Sequence, residues 1–182
     1  MNIYLVRHPE TSWNIEKRFQ GHLEGEITRA GKEKTNKFVD NLHLNSIDII
    51  FHAQNQRTAY VARELKKKYV NSIILEDPLL NERNCGDFEG KYYKDIYSEN
   101  DDSKDFEKKY IWKPPNGESH KEVSERGMAF LSKITKKYKG NITIICITSS
   151  GVIRNILHKK NNLSLEQMYS LKIDNLELIK YR

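Results

Sequence analysis

The sequence predicts an α/β fold, a mostly parallel central sheet with helices on both faces, and three observations lead there. Apolar runs of strand length alternate with amphipathic stretches of helix length along 182 residues. Residues 141–148 (NITIICIT) are almost continuously apolar, as in a strand covered on both faces. The linking segments are long enough for right-handed crossovers between parallel strands.

Residues 2–7 (NIYLVR) have the length and apolar density of a buried strand. Residues 28–42 follow as a helix with Thr28 as cap and Ala30, Phe38, Val39 and Leu42 supplying apolar surface. A second strand is expected at 46–51. A second helix at 54–69 places Ala59, Ala62, Leu65 and Tyr69 on one face. Residues 73–75 make a short third strand. A long helix at 119–138 carries Val123, Met128, Phe130, Leu131, Ile134 and Tyr138, with Gly140 as its stop. After the strand at 141–148, residues 151–158 form a short helix and 176–181 a last strand. Residues 85–118 fit neither a core strand nor one regular helix. They read as an excursion over the strand ends, with helical pieces at 91–96 and 106–110, inside a single domain spanning 1–182. Tyr92, Tyr93, Tyr97, Tyr110 and Trp112 in it either line an organic pocket or pack against one another.

In open parallel sheets, ligands bind beyond the carboxyl ends of the strands. Arg7-His8 and Thr148-Ser149-Ser150 both fall at such ends. A formal charge of +6 favours an anionic ligand. Its lysines, as at Lys66-Lys67-Lys68 and Lys159-Lys160, sit at the ends of amphipathic stretches, where they serve helix C-termini. No recognition helix, aromatic strand pair or zinc pattern accompanies the charge, so no nucleic-acid partner is expected. The longest apolar run is too short for a bilayer, and the N-terminus lacks a signal peptide's basic start; no membrane partner and a cytoplasmic location are expected. Cys85 and Cys146 have no metal-ligand spacing. A homodimer is left open.

The chemistry follows from residue types. Arg7 and Arg57 can make paired charge-assisted bonds to phosphate oxygens, and an imidazole at His8 can attack phosphorus if another group fixes its tautomer. Asn14 and the turn Gln20-Gly21 would add donors around it. Glu82, soon after the third strand, could protonate a leaving alkoxide and later activate water.

These residues resemble a known family. The run Arg7-His8-Pro9-Glu10-Thr11, then Asn14, Gln20-Gly21-His22-Leu23-Glu24, Ile27, Thr28 and Gly31, resembles the opening signature of the histidine phosphatase superfamily, the phosphoglycerate mutase-like enzymes. Residues 81–90 (NERNCGDFEG) resemble its acid-bearing motif. Pro115-Asn116-Gly117-Glu118-Ser119, with Val123 and Arg126 beyond, resembles its Pro-x-Gly-Glu-Ser segment. The resemblance implies a three-layer α/β/α sandwich, a phosphohistidine at His8, phosphate binding by Arg7 and Arg57, Glu82 as general acid, and no metal or organic cofactor. Arg57 takes its place by its distance from Asp48 and by Ala62; a competing register on Thr58-Ala59 puts Gln54 there instead.

Two departures stand out. Pro9 replaces the glycine that normally follows the nucleophile. Ser149 replaces the second histidine of the phosphate clamp, with Ser150 beside it, and serine is shorter and never positively charged. His52, at the end of the second strand, is a candidate to return an imidazole to the pocket; His22 is another. The expected activity is hydrolysis of a small phosphorylated organic molecule, weakened at Ser149. A mutase and a non-catalytic phosphate-binding protein are the alternatives.

Overall fold

The computed structural model describes residues 1–96 and 105–182. In chain order its elements are β1 (Asn2–Arg7), α1 (Ser12–Ile15), α2 (Arg29–Asn41), β2 (Ile49–His52), α3 (Gln56–Lys68), β3 (Ile73–Glu76), α4 (Tyr93–Ile96), α5 (Phe106–Ile111), α6 (His120–Lys137), β4 (Thr143–Thr148), α7 (Ser150–Asn161), α8 (Leu165–Ser170) and β5 (Leu178–Lys180). The strands join in the order β3-β2-β4-β1-β5. All pairs are parallel except β1–β5, so the carboxyl ends of four strands share one edge.

Strand alternation divides the interior into two cores. Ile3, Leu5, Ile49, Phe51, Ile144 and Cys146 pack beneath Phe130 and Ile134 of α6 and Val152 and Ile156 of α7. Val6, Ile50, Ile145 and Ile147 face Val39 of α2 and Val61, Ala62 and Leu65 of α3. This is the three-layer sandwich expected from the sequence.

The helix ends follow local chemistry. Thr28 caps α2 by accepting from the Gly31 amide, Asn55 caps α3, and Ser119 forms a reciprocal box with Glu122 at α6. Lys68 near the end of α3 donates to the carbonyls of Val39, Asp40 and Leu42, and so closes the end of α2.

Some expected boundaries differ. β2 starts at Ile49; the Asp48 backbone before it still bonds to Thr143 and Ile73, and its carboxylate accepts from the Thr143 amide at 2.7 Å. α6 ends at Tyr138 in extended backbone, before Gly140 is reached. α7 runs on to Asn161 and is closed by Asn162 at φ 51°. The short helices α1 and α8 were not expected, although both begin with capping boxes, Thr11 with Asn14 and Ser164 with Gln167. Within the excursion, α4 and α5 are the two helical pieces; Tyr97 lies outside the described residues.

Candidate active site

A cavity of about 310 Å³ opens at the carboxyl edge of the sheet. Arg7, His8, Asn14, Gln20, Gly21, Arg57, Glu82 and Ser150, all singled out in the sequence, line it. Arg7 ends β1, and His8 is tied to the end of β4 through its amide and the Thr148 carbonyl, 2.9 Å. Asn175 secures the His8 carbonyl at 2.8 Å. The nucleophile candidate therefore stands on the two central strands.

The His8 ring shows why proline is tolerated after it. Its Nδ1 lies 2.7 Å from the Pro9 carbonyl, which can only accept, so Nδ1 carries the proton and Nε2 keeps its lone pair. Proline has lost its amide hydrogen but keeps this acceptor. Burial, then the charges of Arg57 and Arg7, hold the His8 pKa well below its ordinary value, which leaves the imidazole neutral and nucleophilic.

Arg57 is 1 % exposed in the first turn of α3. Its two terminal nitrogens donate to the carbonyls of Gly21 (2.8 Å) and Leu23 (2.9 Å). That orients the guanidinium and binds the 20–23 loop to the helix. Gly21, at φ +51°, admits no side chain: a Cβ there would fall 1.9 Å from Glu89 Oε1. Glu89 uses that closeness to accept from the amides of His22, Leu23 and Cys85. Thr11 fixes the Gln20 amide through a 3.0 Å bond.

Glu82 reaches the cavity from the opposite wall. Its Oε1 accepts from the Arg83 amide at 2.8 Å and would lie 2.5 Å from a Cβ at position 151, so glycine there lets the carboxylate approach α7. His22 holds the Glu82 carbonyl at 3.1 Å, and the Glu118–Arg126 pair braces the neighbouring loop through the Asn84 amide. Among the helices of eight residues or more, α7 is the one without a side-chain cap, and its first residues, Ser150 and Gly151, line the cavity. Its open amides suit an anion. The Nε atoms of Arg7 and Arg57 and the Oγ of Ser149 are buried without hydrogen-bond partners. The two arginine nitrogens belong to residues that line the cavity, and unpaired polar atoms there suggest groups meant for a ligand.

Two expected contributors lie elsewhere. Ser149 is 2 % exposed and does not line the cavity, although the next two residues, Ser150 and Gly151, do. His52 does not line it either, because it ends the four-residue β2 with its Nδ1 bonded to the Ala53 carbonyl at 2.7 Å. The exchange of histidines between positions 149 and 52 is thus not what the geometry offers. Four polar lining residues escaped the sequence reading as ligands: Arg83, Arg154, His120 and Tyr169. Arg83 had a signal in its place beside Glu82, whereas His120 depends on partners distant in sequence. Cys85 also lines the cavity, but burial pushes its thiol up to about 12, so it is no nucleophile at neutral pH.

The sequence profile of the histidine phosphatase superfamily (branch 1) matches residues 3–182. The chain belongs to that superfamily. Phosphoglycerate mutase-like protein 4 of Arabidopsis thaliana is 30 % identical over 168 residues, covering 86 % of this chain and 70 % of its own length. The adenosylcobalamin/alpha-ribazole phosphatase of Escherichia coli K12 is 26 % identical over 182 residues, covering 96 % and 86 %. Among solved structures, a mycobacterial glucosyl-3-phosphoglycerate phosphatase superposes with a TM-score of 0.86 at 18 % identity, covering 98 % of this chain and 91 % of its own. This histidine phosphatase fold places four arginines around its cavity against one carboxylate, Glu82.

The buried imidazoles also make stability depend on pH. His8 and His120 both have pKa values far below the ordinary 6.5, His120 at about 3 through burial and then the charges of Arg83 and Arg154. Below 6.5 the unfolded chain takes up these protons and the folded chain does not, so stability falls as pH falls. His120 contributes about 2 kcal/mol of loss between pH 7 and 5, and His8 adds to it in the same direction. Urea denaturation in phosphate-free buffer is expected to show a lower midpoint at pH 5 than at pH 7. His120→Phe should shrink the difference.

Proposed function

We propose that the chain hydrolyses a small phosphomonoester through a phosphohistidine at His8. The observation that carries this reading is the His8 ring itself: neutral, with Nδ1 committed to the Pro9 carbonyl and Nε2 free, in a cavity shared with Arg7, Arg57 and Glu82. Nε2 attacks phosphorus while the two guanidiniums hold the phosphoryl oxygens. The ester oxygen leaves with a proton from Glu82. Glu82, now a carboxylate, takes a proton from water, which attacks the phosphohistidine and frees phosphate and His8. Membership of the superfamily and the phosphatases among its relatives support this reading. Brief exposure to p-nitrophenyl phosphate should add one acid-labile phosphoryl group at His8, read by intact-mass and peptide mass spectrometry. Sustained phosphate release with His8 unmodified would defeat the scheme.

Ser149 sets the strength of this activity. An imidazole at position 149 would be long enough to leave the buried pocket in which the serine Oγ has no partner, and would supply a donor to the phosphoryl group. Ser149→His is expected to raise kcat about ten- to a hundredfold, the usual worth of one oriented donor at a transition state. Steady-state assay of the folded variant checks it, and an unchanged kcat would show that the serine costs nothing.

A further inference from the structure

His120 opens α6, immediately after its cap, and lines the same cavity as His8. Its protonation is fixed by a chain of buried groups. The Ser124 hydroxyl donates to Asn155 Oδ1 at 2.9 Å, and Asn155 Nδ2 donates to the Gly151 carbonyl at 2.9 Å. The Gly151 carbonyl only accepts, which excludes the flipped amide. The second amide hydrogen points at His120 Nδ1, 3.0 Å away, so Nδ1 must be the acceptor and the proton resides on Nε2. The edge-to-face contact with Tyr169, ring centres 5.3 Å apart, holds the ring from its other side. His8 and His120 are therefore opposite tautomers in one cavity: His8 offers a lone pair at Nε2, His120 a hydrogen.

Their charged neighbours differ as well. Arg57 and Arg7 act on His8, whereas Arg83 and Arg154 act on His120. Arg83 contacts the Glu118 carbonyl at 3.5 Å and the Cys85 side chain, and neither Arg83 nor Arg154 has a carboxylate partner among the described residues. Arg154 also acts on Arg7, so Arg83 and Arg154 form a second cationic pair that adjoins the first in one cavity and that phosphoryl binding by Arg7 and Arg57 leaves unused. We propose that His120 is a specificity-determining residue, whose Nε2–H, flanked by Arg83 and Arg154, binds a carboxylate on the leaving group of the phosphomonoester. The assignment rests on the phosphatase reading for which end of the substrate is the phosphoryl group. Guanidiniums match a planar carboxylate, and a neutral imidazole donor adds direction without further charge repulsion.

The test is a binding measurement that needs no turnover. Calorimetric titration compares two non-hydrolysable alkylphosphonates, one ending in a carboxylate and the other in a methyl group. The wild-type chain should prefer the carboxylate by at least about tenfold. His120→Phe, which keeps the ring against Tyr169 but removes the donor, should cut that preference about ten- to a hundredfold or to nothing. His120→Gln, which returns an N–H at comparable reach, should recover part of it. A nitrogen-detected spectrum of the wild type should show the His120 proton on Nε2. No carboxylate preference in the wild type, or one unchanged by His120→Phe, overturns the proposal. Equal weakening of both ligands also overturns it, since that places His120 on the phosphoryl group. Failure of the phosphatase reading appears separately, as no phosphohistidine in a protein that still binds the carboxylate ligand.

Discussion

His8→Ala is expected to abolish the phosphoenzyme and to lower phosphate release from p-nitrophenyl phosphate by at least about a thousandfold, because it deletes the atom to which the phosphoryl group is passed. The loss should fall on kcat, since Arg7, Arg57 and the α7 amides, which in the proposed scheme would bind the phosphoryl group, remain. The structure gives this expectation its sharpness. His8 is 3 % exposed, its Nδ1 is committed to Pro9, and its backbone is fixed by Thr148 and Asn175, so neither water nor another side chain inherits its place. Replacement by alanine also removes a buried neutral imidazole, and the variant should lose less stability on acidification than the parent. Rapid-quench measurement of the acid-labile adduct, with steady-state assay of both proteins, checks it. A variant that kept even a tenth of the parent rate would point to direct attack by water or to binding alone.

The layers of the fold were legible because burial on both faces leaves a run such as 144–147 apolar throughout, while a helix on one face repeats its apolar residues every three or four positions. Strand order was not, since it depends on which crossover packs where. The site was legible where chemistry is concentrated in short motifs: His8 beside Arg7, Glu82 beside Arg83, and Arg57 at a helix start. Position 52 misled because a histidine at the end of a strand reads the same whether its ring faces a ligand or its own backbone carbonyl. His120 stayed silent for the converse reason. Its tautomer is set by Asn155, 35 positions away, and nothing adjacent in sequence marks it.

Charge explains why these separate elements form one site. Arg7 and Arg57 are both desolvated, and Glu82 is the first opposing charge that each meets. Among the described residues Glu82 is the one carboxylate that lines the cavity with four guanidiniums, a balance that suits a dianionic ligand. The neutral state of His8 belongs to the same balance: a protonated imidazole beside Arg7 and Arg57 would be repelled, so in the proposed scheme the groups that would hold the phosphoryl target also keep the nucleophile ready.

Arg57 is the second site where a large effect is expected, because two functions meet in one guanidinium. Two of its five N–H groups are spent on the Gly21 and Leu23 carbonyls, and its unpaired Nε and remaining hydrogens are left for the phosphoryl oxygens. Arg57→Ala should lower kcat/KM about a hundred- to a thousandfold, roughly 3 to 4 kcal/mol of transition-state stabilisation. It should also lower stability by about 2 kcal/mol, since two loop carbonyls lose their donors. Arg57→Lys separates the two losses. A lysine ammonium can restore charge and one carbonyl contact, but it cannot hold both carbonyls and present a planar fork to phosphate at once. The lysine variant should therefore regain most of the stability and less than about a tenth of the lost rate. Paired denaturation curves and kcat/KM values decide it: full rate in the lysine variant would mean that Arg57 supplies charge alone, and wild-type kcat/KM in the alanine variant would remove it from the site.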